Sequence, residues 1–261
     1  MIKKFGKAFK KVKKTNLKIK YLVKEKSFQI LILSFSNIFK LPKNVIEYEV
    51  SQILSKNYDY KNEKIRKILS IKNFIKNFIL TFALSFLMIL TFFLKKKTIK
   101  KKRFEIIVDG VDQNRDAYRL REISKNFKTV CFISKKKFLK DKNITYFNHS
   151  NFFLTNNEFS IITRINFFIF CLLLFLLSIF KQKNFYFIFF EMAYKILKYN
   201  FIFKSVISKS YLQSKFYDTS AIKNYIFKAN GGIVTSCTQK NLLEVGLSSF
   251  INTDIFFSIG K

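Results

Sequence analysis

The sequence predicts an α/β protein built on an open parallel sheet with helices, together with one or two apolar, membrane-associated helices. Three observations carry that prediction. Residues 104–133 follow a strand, helix, strand pattern; residues 217–237 follow a helix, Gly-Gly, strand pattern; and two long runs elsewhere contain no charge. Alternating strands and helices argue for parallel pairing, because a strand can rejoin its neighbour in the same direction only through a crossover of helical length.

Composition narrows the partners. Lys and Arg total 49 against 16 Asp and Glu in 261 residues, a formal charge of +33. Such a charge suits an anionic membrane surface or nucleic acid. Lys, Ile, Phe and Asn are all over-used, Trp is absent and Pro occurs once, the pattern of an AT-rich genome, so part of the charge is codon bias. No nucleic-acid-binding module accompanies it, and most Phe residues fall in apolar runs that need burial rather than on a face where bases stack. Nucleic acid is therefore not an expected partner. Cys131, Cys171 and Cys237 are odd in number and lack C-x-x-C spacing, which fits buried thiols in a reducing compartment better than zinc or disulfide chemistry. His149 is the sole histidine and sits among Asn148, Ser150 and Asn151, a turn composition. A histidine metal cluster is not expected, and no metal site is assigned.

Residues 1–43 form a basic amphipathic segment. Lysines recur at nearly every second or third place through residue 26, with Phe5, Phe9, Val12, Leu17 and Ile19 between them. Such a segment either lies on an anionic membrane, apolar face down, or is a solvated lysine tail. It lacks the apolar core and small-residue cleavage site of a secretory signal. Ser27–Phe39 is an apolar run, and Pro42 opens a helix over Asn44–Leu54 through Val45, Ile46, Val50, Ile53 and Leu54.

Residues 44–261 are expected as a single domain with apolar helices near 74–94 and 165–180. Phe78–Leu94 runs without charge between Lys76 and the block KKKTIKKKR, and Ile165–Phe180 runs between Arg164 and Lys181. A spanning helix needs about 20 apolar residues, and every flank is basic, so the positive-inside rule orients neither run. Helices that dip into one leaflet or lie beside the membrane are expected. Two crossings are the alternative, and a buried core helix is a further reading of the second run.

Between the runs, Phe104–Val108 is strand-like, Asp109 and Gly110 turn the chain, Arg115–Asn126 spaces Ala117, Leu120 and Ile123 as a helix, and Phe127–Ile133 returns as a strand. This is a β–loop–α–β unit of about thirty residues, long enough for a parallel crossover. Ile144–Phe147 and Phe185–Phe190 read as further strands, Tyr194, Leu197 and Phe201 as a helix, and Lys204–Ser210 as β-prone. Ile222, Tyr225 and Ile226 mark the last helix behind Asp218, Thr219 and Ser220, any of which can cap it. Gly231 and Gly232 stop that helix, Ile233–Cys237 is a strand, and Asp254–Gly260 reads as the final one. The sum is an open, Rossmann-like sheet. Ligands of such sheets sit at the carboxyl ends of strands, which singles out the loops Asp109–Arg115 and Thr238–Asn241. The first holds one glycine, so it is neither a G-x-G-x-x-G fingerprint nor a phosphate loop.

Four pieces, Asp218-x-x-x-x-Ile-Lys-Asn224, Gly231–Gly232, Thr235-x-x-x-Gln239 and Asp254-x-Phe-Phe-x-x-Gly260, resemble the end of the N-terminal domain in GT-B type glycosyltransferases of bacterial surface-polysaccharide biosynthesis. The resemblance covers Tyr217–Lys261 well and the region of Asp109 loosely. Where the family tends to carry histidine after the glutamine, this chain has Lys240. The resemblance implies sugar transfer onto a glycan or lipid-linked acceptor at the cytoplasmic face of the inner membrane. A nucleotide sugar would be the co-substrate, and no cofactor is expected on this chain. A chain ending at Lys261 would be the acceptor-side half, truncated, inactive, or completed by a separate donor-domain chain.

Sugar transfer needs a base for the acceptor hydroxyl and cationic or N–H-rich groups for the departing phosphate. On the family reading, Asp109 and Asp112 are the catalytic candidates, and Arg115, Asp218, Gln239, Lys240 and Asn241 contact substrate. Each has a plainer alternative: helix caps for Asp112 and Asp218, an exposed first turn for Arg115, a solvated lysine for Lys240. The rival reading of the whole chain is a small non-enzymatic integral membrane protein with basic loops.

Overall fold

A computed structural model describes residues 2–59, 64–93, 101–109, 111, 114–148, 159–213, 220–237 and 254–257. In chain order these form α1 (Ile2–Lys24), α2 (Lys26–Phe39), α3 (Lys43–Lys56), β1 (Tyr58–Asp59), β2 (Lys64–Ile65), α4 (Arg66–Leu69), α5 (Ile71–Phe93), β3 (Lys102–Arg103), β4 (Ile106–Asp109) and α6 (Asn114–Lys125). There follow β5 (Val130–Ile133), β6 (Ile144–Phe147), α7 (Ile161–Phe180), α8 (Tyr186–Ser205), β7 (Val206–Ile207), β8 (Ser210–Gln213), α9 (Ala221–Ala229), β9 (Ile233–Cys237) and β10 (Ile255–Phe257). The elements divide into two compact units, and the chain visits each more than once. Among the described residues the first unit draws on 2–93 and 159–194, the second on 101–148, 195–237 and 254–257.

The first unit is helical. In α2, Phe28, Leu31, Ile32, Phe35 and Phe39 recur at helical spacing and are buried. Lys40 ends the helix in the left-handed region at φ 51°, its N–H bonded to the Ser36 carbonyl. Pro42 then precedes α3, as its missing N–H and fixed φ favour. The Phe35 ring lies within 4.7–6.5 Å of the rings of Phe39, Phe167, Phe170 and Phe189, which ties α2 to α7 and α8. α5 and α7 pack antiparallel: Phe78 meets Phe175 at 5.4 Å, Phe82 meets Phe168 at 5.7 Å, and Arg164 at the start of α7 bonds to Met88 and Thr91 near the end of α5. Of residues 185–190, expected as a strand, those from Tyr186 onward are instead the start of α8. Six aromatic and aliphatic residues in a row carry no period, and the buried set Phe189, Met192, Ala193 and Ile196 that follows has helical spacing.

The second unit is α/β. Its main sheet has six strands in the order β10-β9-β8-β4-β5-β6, every neighbouring pair parallel. β4 and β5 read IIVD and VCFI, and their apolar residues are buried on both faces, as parallel strands under helices require. One face packs Ile106, Val108, Val130, Phe132 and Leu212 against Ala117 and Leu120 of α6. The other packs Tyr211 against Phe203 of α8 and Phe227 of α9, with ring centroids 5.0–5.2 Å apart. β3 and β7 form a separate parallel pair. Of the three expected caps of α9, Ser220 is the one in place, its Oγ accepting from the Lys223 N–H. Gly231 takes φ 79° to leave that helix. Gly232 answers a different need, since a Cβ there would overlap the Phe227 ring. Asp254 latches the last strand: its carboxylate accepts from the Val234 N–H at 2.9 Å and pairs with Lys228 at 2.6 Å.

Candidate functional site

The two central strands set the site. β4 and β8 pair with Asp109 opposite Gln213 and Ile107 opposite Tyr211. Side chains alternate along a strand, so Asp109, Gln213 and Tyr211 share one face. From β4 the sheet grows one way through β5 and β6 and the other way through β8, β9 and β10. A crevice opens at the carboxyl ends of the strands where such an order reverses, and open parallel sheets bind ligands there. Asp109 and Gln213 are the last residues of the two strands flanking that point.

The C-terminal half of α8 and the first turn of α9 complete the arrangement. Asp109 Oδ2 accepts from Tyr211 Oη at 2.7 Å, from Lys223 Nζ at 3.0 Å and from Tyr199 Oη at 3.3 Å. Lys223 Nζ also lies over the Tyr199 and Tyr211 rings, 5.4 and 5.6 Å from their centroids. The ion pair is removed from solvent, with the lysine side chain 6% and the carboxylate 14% exposed. Behind it, buried Gln213 donates from Nε2 to Oδ1 of buried Asn224. Burial pushes the Asp109 carboxyl up, but the charges of Lys223 and Lys198, with hydrogen bonds from Tyr211 and Lys223, outweigh that and hold it well below the usual carboxylate range.

A general base works best with a pKa near the working pH. Asp109, held this low, is a poor proton acceptor and a good fixed anion. The site as described is thus a buried polar network: a carboxylate that orients a buried ammonium and two phenols. Among the described residues no three His, Cys, Asp or Glu side chains stand together as metal ligands would. Cys131 and Cys171 are free and buried, and burial pushes the Cys131 thiol up to about 12, against the opposing charge of Lys102.

Of the residues singled out in the sequence, Asp109 stands at the strand end and within the network. Arg115 falls in the first turn of α6, its side chain outside the described residues. Asp112, Asp218, Gln239, Lys240, Asn241 and His149 lie outside the described residues. Sequence reasoning missed Lys223, Tyr199, Tyr211, Gln213 and Asn224 as site residues. Lys223 carried a signal: it is a cation in a helix's first turn, where the backbone dipole disfavours positive charge, and it interrupts the apolar stripe of Ile222 and Ile226. Comparison with protein-family models, with curated proteins and with solved structures finds no match to this chain.

Proposed function

We propose that the chain is a membrane-associated, glycosyltransferase-like protein of bacterial surface-polysaccharide biosynthesis. On this reading the second unit is an open Rossmann-like domain that holds a glycan or lipid-linked acceptor at the carboxyl ends of β4, β8 and β9. The observation that carries it is the buried Asp109–Lys223 pair where the strand order reverses. In sequence, the segments directly after β4, β8 and β9 contain Asp112, Asp218, and Gln239 to Asn241, positions on or beside the family resemblance. Asp109 serves as a positioning residue that fixes Lys223 and Tyr211, and the acceptor proton falls to Asp112. A nucleotide sugar is the co-substrate, presented by a second domain or a separate donor chain. The apolar helices hold the protein at the cytoplasmic face of the inner membrane, where a lipid-linked acceptor is reached.

The test is saturation-transfer NMR on the full chain in lipid nanodiscs against panels of oligosaccharides and nucleotide sugars. Transfer to an oligosaccharide, lost in the Gln239→Ala/Lys240→Ala/Asn241→Ala variant and kept in the remote Lys136→Ala variant, is the expected result. Silence across the oligosaccharide panel would overturn the reading. It would leave the rival, a non-enzymatic membrane protein, which α5 and α7 favour because both are long and apolar enough to cross a bilayer.

A further inference from the structure

The faces of α5 and α7 that do not meet each other are apolar and open. Ile71, Ile75, Ile79, Phe86, Leu90 and Phe93 of α5 are 44–77% exposed, and their spacing puts them on the side opposite buried Thr81, Leu84, Ser85 and Met88. α7 repeats the pattern, with Ile165, Ile169, Leu172, Leu176 and Ile179 exposed opposite Phe167, Phe170, Cys171 and Leu174. Only 28% and 33% of the most apolar windows of the two helices is buried. An apolar surface of this extent on two bilayer-length helices needs a cover.

Chain connectivity decides how a bilayer could supply it. The antiparallel packing puts residues 71 and 180 at one end of the pair and residues 93 and 161 at the other. β4, β5 and β6 come between the two helices in sequence; β8 and β9 come after both. If both helices crossed, β4 and β8 would lie on opposite sides of the membrane. Yet β4 and β8 are hydrogen-bonded neighbours over four residue pairs. α8 does not carry the chain back across, since Glu191, Lys195 and Lys198 fall in its middle and each ionisable group at a bilayer centre costs several kcal/mol. A crossing by α5 alone fails as well, because α7 packs along it and would be drawn through the same bilayer.

We infer that α5 and α7 enter one leaflet side by side without crossing it, their open apolar faces down, so that every other segment of the chain stays on a single side. Charge fits this occupant. Lys72 and Lys76 are exposed on the first turns of α5, placed to reach headgroups while the rest of the helix sits in acyl chains. In α1, Lys13, Lys14, Lys18, Lys20 and Lys24 are exposed in the same unit, which selects an anionic lipid surface. The inference sharpens the membrane part of the reading above and is independent of the sugar chemistry.

Impermeant maleimide labelling of the full chain tests it. Single cysteines at Lys43→Cys, Lys136→Cys and Lys209→Cys, in a Cys237→Ser background, report the segments before, between and after the helix pair. All three are expected to label in inverted inner-membrane vesicles, with labelling lost in intact spheroplasts. Any one of them labelling from the opposite side overturns the inference. A second arm attaches an environment-sensitive fluorophore at Ile79→Cys and Ile169→Cys, where nitroxide-bearing lipids are expected to quench it. An unquenched probe would mean that water or another protein copy covers this face, and would overturn the inference equally.

Discussion

Among the described residues each unit buries one cation, Arg164 in the first and Lys223 in the second, and the contacts around the two differ. Arg164 is fully buried in the first unit: its Nη1 donates to the Met88 carbonyl and to Thr91 Oγ1 at 2.9 Å, its Nε to the Phe159 carbonyl at 2.8 Å, and its guanidinium faces the Phe92 ring at 5.6 Å. Lys223 in the second unit is held by a carboxylate and two phenol rings. A guanidinium has five donors in a planar fork and can be satisfied by scattered neutral oxygens, especially near a helix C-terminus with its partial negative charge. An ammonium is a compact point charge and needs a counter-ion once water is removed. Arg164 thus ties α7 to α5, whereas Lys223 and Asp109 place two charges where a polar ligand is expected.

This difference predicts unequal responses to mutation. Asp109→Asn leaves Lys223 buried without its counter-ion and should cost about 3–5 kcal/mol in urea unfolding, while Asp109→Leu combined with Lys223→Met should recover most of that loss. The effect carries a pH signature. A carboxyl held low in the fold contributes fully above the unfolded aspartate pKa of about 3.9 and loses its contribution as pH falls from there toward the folded value. The stability gap between wild type and Asp109→Asn should therefore be constant near neutrality and narrow only in acid. Arg164→Leu removes the donors to Met88, Thr91 and Phe159, so a loss of about 2 kcal/mol is expected by the same assay. Gly232→Ala forces the Phe227 ring from its place between Phe203 and Tyr211, for about 1–3 kcal/mol. Smallest of all, Cys131 should resist iodoacetamide at neutral pH in the folded protein, since burial keeps it a thiol.

Much of the second unit was legible locally. Asp109 at the end of a β-branched run, the helix through Ala117 and Leu120, and the Ser220 cap followed by Gly231 and Gly232 all rest on contacts close in sequence. The first unit was less so. Its helices were readable as apolar runs, but α8 shows how a run without a period passes for a strand until the residues after it are counted. The site was half legible. Its position follows from strand ends, but Tyr199, Tyr211 and Lys223 reach Asp109 from 90, 102 and 114 residues away, and one lysine among 49 basic residues stands out only by the turn it occupies. The interleaving of the units was not legible, because nothing in composition marks residues 159–194 as returning to the first one.

Hydrogen–deuterium exchange on the full chain in anionic nanodiscs, with and without an oligosaccharide acceptor, tests the central division of labour most directly. The acceptor is expected to slow exchange in peptides covering 106–111 and 220–224, around Asp109 and Lys223, and to leave α5 and α7 unchanged. Protection confined to the helix pair, or none at the strand ends with any acceptor tried, would contradict it.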